Sequence, residues 1–333
     1  MSRTQTAQEA IQAGLDALRR DDLPQAAQAF QHALAMLPGN IGLLRSIATL
    51  QSRLGDYAAL NSLCIEGLRA APQDAVLRDH WLEARARLTP GDTPLLAEAE
   101  AWAAAAPREP RAQYRLGDIL LRAGRAAMAL TPFTRAIELI QDTQMLPAYL
   151  SDGAEAAYQA GDIARARAWL DRAVALAPQN RSARLARATI LLSLGEWDQG
   201  LEDYEARLLP SDTQRIERDL MLPRWQGEPL AGRRLLVCAE QGIGDQIRFA
   251  RQLPMLRNLT GGLVVECAAR LVPLLERSMP GLTVHAAQEE RIGNRHVFRY
   301  DWLPATDSPA CYIEFGSIAL RLLQQGIPPE SLN

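Results

Sequence analysis

The 333-residue sequence contains no lysine; all 36 of its basic residues are arginine. A phosphate-loop lysine, a Schiff-base lysine and a Ser-Lys dyad are thereby excluded. Cysteine is scarce: Cys64, Cys238, Cys267 and Cys311 stand far apart, with no CxxC or Cys/His ligand spacing. They read as reduced thiols used as small apolar residues. The few histidines, His32, His80, His285 and His296, fall in no HExxH-like cluster, so no metal site is expected. Residues Met1 to Ala10 are polar, and no apolar run approaches a membrane span, which predicts a cytoplasmic chain. A net charge of −3 with 23% charged residues gives no basis for nucleic-acid or anionic-membrane binding.

What is present is a period. Pro38, Pro72, Pro107 and Pro178 close helical segments at spacings of 34, 35 and 71 residues, the last about twice the unit. The same punctuation returns within units: Gly14, Ala26, Phe30, Ala33 in the first, Leu116, Gly117, Gly124, Ala129, Phe133, Ala136 in the fourth. Gly161, Ala166 and Ala173 mark the fifth, and Gly195, Gly200 and Tyr204 the sixth. The second and third keep the proline but lose the early glycine. Paired helices need small residues where they cross, a large apolar wedge, and a breaker before the next pair. This pattern resembles the tetratricopeptide repeat family, with about six units over residues 5–209. The resemblance implies an α-solenoid whose concave face binds a protein or peptide. Gly14, Gly117 and Ala154 are the expected close crossings. The expected concave positions are Arg45 and Thr49, Tyr114 and Asp118, Glu155 and Tyr158. Lysine is absent and asparagine rare, unlike the carboxylate clamps of chaperone-binding arrays or the asparagine ladder of O-linked N-acetylglucosamine transferases.

After residue 209 the pattern changes. Residues 210–222 read as a linker, and apolar strand-like and helical runs then alternate over 223–333. Strands are expected at 233–239, 263–267, 282–285 and near 311–315, with helices at 244–258, 270–278 and 317–324. Such alternation predicts a parallel sheet with helices on both faces, a Rossmann-like lobe. The run Cys238-Ala239-Glu240-Gln241-Gly242-Ile243-Gly244-Asp245 turns a strand directly into a helix, where backbone can approach a ligand and N–H groups are left unpaired. Asp245 then falls in the first helical turn, so an ordinary helix-capping role competes with a functional one.

The segment 223–232, with Glu240-Gln241-Gly242-Ile243-Gly244-Asp245 and Phe249-Ala250-Arg251, resembles bacterial tetratricopeptide-repeat-containing glycosyltransferases of the GT-B type. The Gly-Asp turn and Pro254 are similar, more distantly, to heptosyltransferases. The resemblance implies that 223–333 is the acceptor-side lobe of a GT-B fold. Asp245 would be the base toward an acceptor hydroxyl, and Glu240, Gln241, Gly242, Gly244 and Arg248 would bind substrate. It also implies a carbohydrate or protein acceptor. The family more often has an uncharged polar residue at position 248. The donor-binding second lobe has no counterpart after Glu330, so the chain alone is not expected to transfer sugar. No cofactor is expected, and a nucleotide sugar would serve as donor only if that lobe were supplied. The competing reading is a non-catalytic adaptor whose array binds a partner. A dinucleotide-binding role is weaker, because the third fingerprint glycine is missing.

Overall fold

The computed structural model describes residues 3–89, 93–209, 215–240, 242–292, 295–304, 306 and 308–327. The chain divides into two compact units, Met1–Ala186 and Arg187–Asn333.

The first unit is a succession of helix pairs: α1 (Arg3–Arg19) with α2 (Leu23–Met36), α3 (Ile41–Leu54) with α4 (Tyr57–Ala70), α5 (Ala75–Leu88) with α6 (Thr93–Ala105), α7 (Pro110–Arg122) with α8 (Ala126–Leu139), and α9 (Leu146–Gln159) with α10 (Ile163–Leu176). A further helix, α11 (Arg181–Ser193), runs across the boundary between the units. Capping side chains fix where helices begin. Asp22, Asp56 and Asp162 accept the N–H of the third residue on, at 3.1 Å, and so open the second helix of their pairs. Asn40 and Asp74 do the same for the first helices α3 and α5.

The pairs close on a small residue facing a large one sixteen positions later. A Cβ on Gly14 would lie 2.4 Å from the Phe30 ring, and one on Gly117 would lie 2.9 Å from Phe133. In the fifth pair the crossing residue is Gly153, where a Cβ would lie 3.0 Å from Trp169, and not Ala154 as the sequence suggests. Ala154 is itself fully buried, so two adjacent small residues hide a one-residue shift in register. The glycine missing from the second and third pairs is replaced by buried Ala48 and Ala86, in the same clusters as Cys64 and Trp102.

The second unit holds the end of α11, α12 (Trp197–Tyr204), a 3-10 turn over Glu205–Leu208, and an α/β body. Its strands and helices are β1 (Arg215–Arg218), β2 (Arg234–Cys238), α13 (Ile243–Ala250), α14 (Leu253–Arg257), β3 (Gly262–Cys267), α15 (Val272–Ser278), β4 (Thr283–Ala286), β5 (Gln288–Ile292), β6 (Arg295–Arg299), β7 (Cys311–Glu314) and α16 (Ile318–Gln324). Four strands form a parallel sheet in the order β4-β3-β2-β7, with Val237 opposite Val265 on one side and Ile313 on the other. A second sheet, ordered β1-β6-β5, joins a parallel and an antiparallel pair.

Three expectations change here. Among the described residues helices cover one face and not both: α13 to α16 pack on the face carrying Leu235, Val237, Val265 and Ile313. The opposite face, Leu236, Cys238 and Val264, is covered by Phe298 and Tyr300, because the link from β4 to β7 contains the β5–β6 pair and not a helix. The single helix expected over 244–258 is two helices, with Pro254 in the first turn of α14, where its missing N–H costs nothing. The stretch read as a linker contains β1, although 210–214 lie outside the described residues. No helix among the described residues is long and apolar enough to cross a membrane.

Candidate functional site

In the first unit the first helices of successive pairs are joined by a ladder of polar side chains. Arg45 on α3 reaches Asp74, the cap of α5, at 2.9 and 2.6 Å. Thr49 meets His80 at 3.3 Å, and Ser52 donates to Glu83 at 2.8 Å. Arg115 on α7 binds Asp79 of α5 at 2.7 Å and Asp118 at 2.8 Å. Tyr114 donates to Asp152 on α9 and stacks on Tyr149. Burial works against charge at two carboxylates of this ladder, with different outcomes. At Glu83 the bonds from His80 and Ser52 and the field of Arg115 win, holding the carboxyl down at about 2. At Asp152 burial wins over the Tyr114 hydrogen bond, and its pKa is raised. The expected concave residues Arg45, Thr49, Tyr114 and Asp118 all belong to the ladder. Glu155 on α9 is exposed and pairs with Gln159 at 2.7 Å.

In the second unit the chain order reverses beside β2, between β2 and β7. Open parallel sheets take ligands in the crevice beyond the carboxyl ends of such strands. Here that crevice is filled by Arg207, from the turn after α12. Its guanidinium donates to Glu240 at 2.9 and 3.2 Å, to Glu205 at 2.8 Å and to Ser317 Oγ at 2.6 Å. Glu240 also accepts the Gly316 N–H at 2.6 Å. A Cβ at position 316 would sit 2.6 Å from Glu240 Oε1 and 2.7 Å from Arg207 Nε, so only glycine fits. Arg224 completes the cluster, bridging Glu205 and Glu314 at 2.7 Å each. Burial disfavours the Glu205 charge, but Arg207 and Arg224 outweigh it and hold its pKa below the ordinary value.

The open space lies on the other side, beyond the carboxyl ends of β2 and β3. A cleft of about 640 Å³ is lined there by Ala239, Glu240, Gly242, Ile243, Gln246 and Ala268 from the parallel sheet and α13. Its other wall is the small sheet: Ile216 of β1, Glu289 and Arg291 of β5, His296 and Phe298 of β6. These residues share one face, since Arg291 pairs with His296 and His296 with Ile216 across the strands. His296 Nδ1 is bonded to Glu289, and Arg291 Nη2 donates to His296 Nε2 at 3.3 Å.

Of the residues singled out from the sequence, Glu240 and Gly242 line the cleft, but the Glu240 carboxylate is held by Arg207 and Gly316. Gly244, Asp245 and Arg248 do not line it. Asp245 is half-buried in the first turn of α13 and makes no hydrogen bond or ion pair among the described residues. Arg248 is exposed, its guanidinium 5.8 Å from the Phe249 ring. Gln241 lies outside the described residues. Glu289, Arg291 and His296 went unnoticed in the sequence, although Gly293-Asn294 between two alternating runs is a short hairpin signature.

The Tetratricopeptide repeat family model matches residues 95–142 and 152–215. Protein FlbA of Caulobacter vibrioides is 29% identical over 293 residues, covering 84% of this chain and 48% of FlbA. The chain thus spans about half the length of that relative. Among solved structures, the Cut9-Hcn1 hetero-tetramer of the APC/C aligns with a TM-score of 0.53 at 15% identity, over 62% of this chain and 40% of that one. A thermophilic TPR protein from Thermus thermophilus aligns with a TM-score of 0.48 at 21% identity, over 56% and 99% respectively. Residues 95–142 and 152–215 thus carry tetratricopeptide repeats, and the helix pairs before them have the same helix–turn–helix form.

Proposed function

We propose that the chain is an adaptor whose repeat array binds a protein or peptide along its first-helix face. The observation that carries this reading is the ladder running without a break from α3 through α5 and α7 to α9. It ties four first helices together and includes Arg45 and Thr49, while Glu155 and Tyr158 lie farther along on α9. A preorganised polar surface loses little side-chain entropy on binding an extended segment. The test is a photo-crosslinking residue placed at Thr49 or Glu155, and at Arg135 on a second helix as a control. Partner adducts from Thr49 and Glu155 but not from Arg135 are expected. Adducts from Arg135 alone would place binding elsewhere and sink the reading.

A second reading, an acceptor-side glycosyltransferase lobe, is supported by the parallel sheet, the turn after β2 and an Asp245 carboxylate without a hydrogen-bond partner among the described residues. In that role Asp245 would accept a proton from an acceptor hydroxyl. Its test is release of free nucleotide from UDP-, GDP-, CMP- and dTDP-sugars by the purified chain. Release above a heat-killed control and lost in Asp245→Ala would favour an enzyme; no release, or release that Asp245→Ala retains, would count against it.

A further inference from the structure

We propose that the cleft between the parallel sheet and the small sheet binds a small molecule through an anionic group, a carboxylate or a phosphate, held by Arg291 beside the His296 ring. The inference stands apart from the adaptor reading, since the cleft lies wholly within the second unit.

The charges of the lining decide the ligand class. Two carboxylates border the cleft, and both are already engaged. Glu240 is held by Arg207 and the Gly316 N–H, and Glu289 by His296. Arg291 is the exposed cation of the lining, and among the described residues it makes one long bond, to His296 Nε2. A guanidinium carries five donors in a planar fork that matches a carboxylate or phosphate edge, so most of its capacity faces open space. His296 is oriented by Glu289, which directs Nε2 away from the carboxylate and toward the guanidinium. An anion on Arg291 would lie against the His296 ring, whose resonances then report its arrival. Opposite, Gly242 and Ile243 at the start of α13 line the cleft, where backbone N–H groups have no helical carbonyl to bond. The rest of the wall, Ile216, Ile243, Ala268, Ala287 and Phe298, is apolar. A ligand with one anionic end and an apolar or weakly polar body matches this division. Arg207 closes the neighbouring crevice between β2 and β7, so the cleft beside β3 is where such a molecule has room.

The experiment is proton NMR of the histidine rings in the full chain, with His296 assigned by its loss in His296→Gln. Pyrophosphate and citrate are titrated separately, to tell a phosphate ligand from a carboxylate one. Saturable shifts centred on His296 are expected at millimolar concentration with one anion or both. Arg291→Gln should weaken binding by about tenfold or more, as loss of a charge-assisted pair does, and Arg291→Lys should recover part of it. Arg277→Gln, on α15 and outside the cleft, should bind as the parent does. Circular dichroism of each variant checks that it is folded. Absence of a saturable His296 shift with either anion overturns the proposal. Equal affinity in Arg291→Gln, or an equal loss in Arg277→Gln, overturns it as well. Retained partner crosslinking with no anion binding would leave the adaptor reading intact and remove this one.

Discussion

Glycine at position 117 illustrates how little volume separates a working repeat from a strained one. The Phe133 ring fills the space a Cβ would need, and both residues sit between paired backbones. Gly117→Leu is expected to lower stability by about 1–3 kcal/mol through overpacking. Thermal melts that coincide with the parent would contradict the assigned crossing. At Glu83 the same scale governs pH. Its folded pKa of about 2 lies below the ordinary 4.5, so its contribution is present above about pH 4.5 and is lost as pH falls toward 2. Asp152 works in the opposite sense: its raised pKa costs stability when it is ionised, and that cost is relieved on acidification. Glu83→Gln should therefore flatten the acid limb of a stability–pH profile between about 4.5 and 2, measured by urea unfolding. An unchanged limb would show that the ladder does not hold Glu83.

Helix starts differ in kind although aspartate stands near several of them. Asp162 accepts the Arg165 N–H at 3.1 Å and is a true cap of α10. Asp245 lies inside α13, whose cap is Gly242, and it makes no capping bond among the described residues. Asp162→Ala should cost about 1 kcal/mol, the usual loss for such a cap. Asp245→Ala should cost only a few tenths, the scale of a charge near a helix start. Denaturant melts of the two variants decide this, and an equal loss would make Asp245 an ordinary helix-stabilising residue. Sequence spacing placed Asp245 in a first helical turn but not which backbone groups it would meet.

On the scale of the second unit, the Arg207 cluster does what composition could not reveal. It ties the turn after α12 to the ends of β2 and β7 and the start of α16, while Leu201 packs with Ala319 and Leu320. The second compact unit accordingly begins at Arg187, within α11. Glu240→Gln leaves the buried Arg207 without its full counter-charge, and a loss of about 3–5 kcal/mol is expected. Hydrogen exchange should show it as lost protection in β2, β7 and α16. Unchanged exchange there would mean the cluster is not what holds these elements together.

The sequence alone determined the repeats, because period, small residues, wedges and breakers are all local properties of a chain whose units contact their neighbours. It also determined the buried strands β2 and β3, whose continuous apolar runs leave no other reading. The tertiary structure decided the rest. Charged β5 and β6 form no core of their own, and their Glu289, Arg291 and His296 become a cleft wall only when Phe298 packs against the far face of the parallel sheet. Whether Gly153 or Ala154 faces Trp169 depended on a helix rotation that two adjacent small residues do not encode. Glu240 is anchored because Arg207, 33 positions earlier, folds back onto it. Such pairings are fixed by burial of charge between distant segments, which no local pattern records.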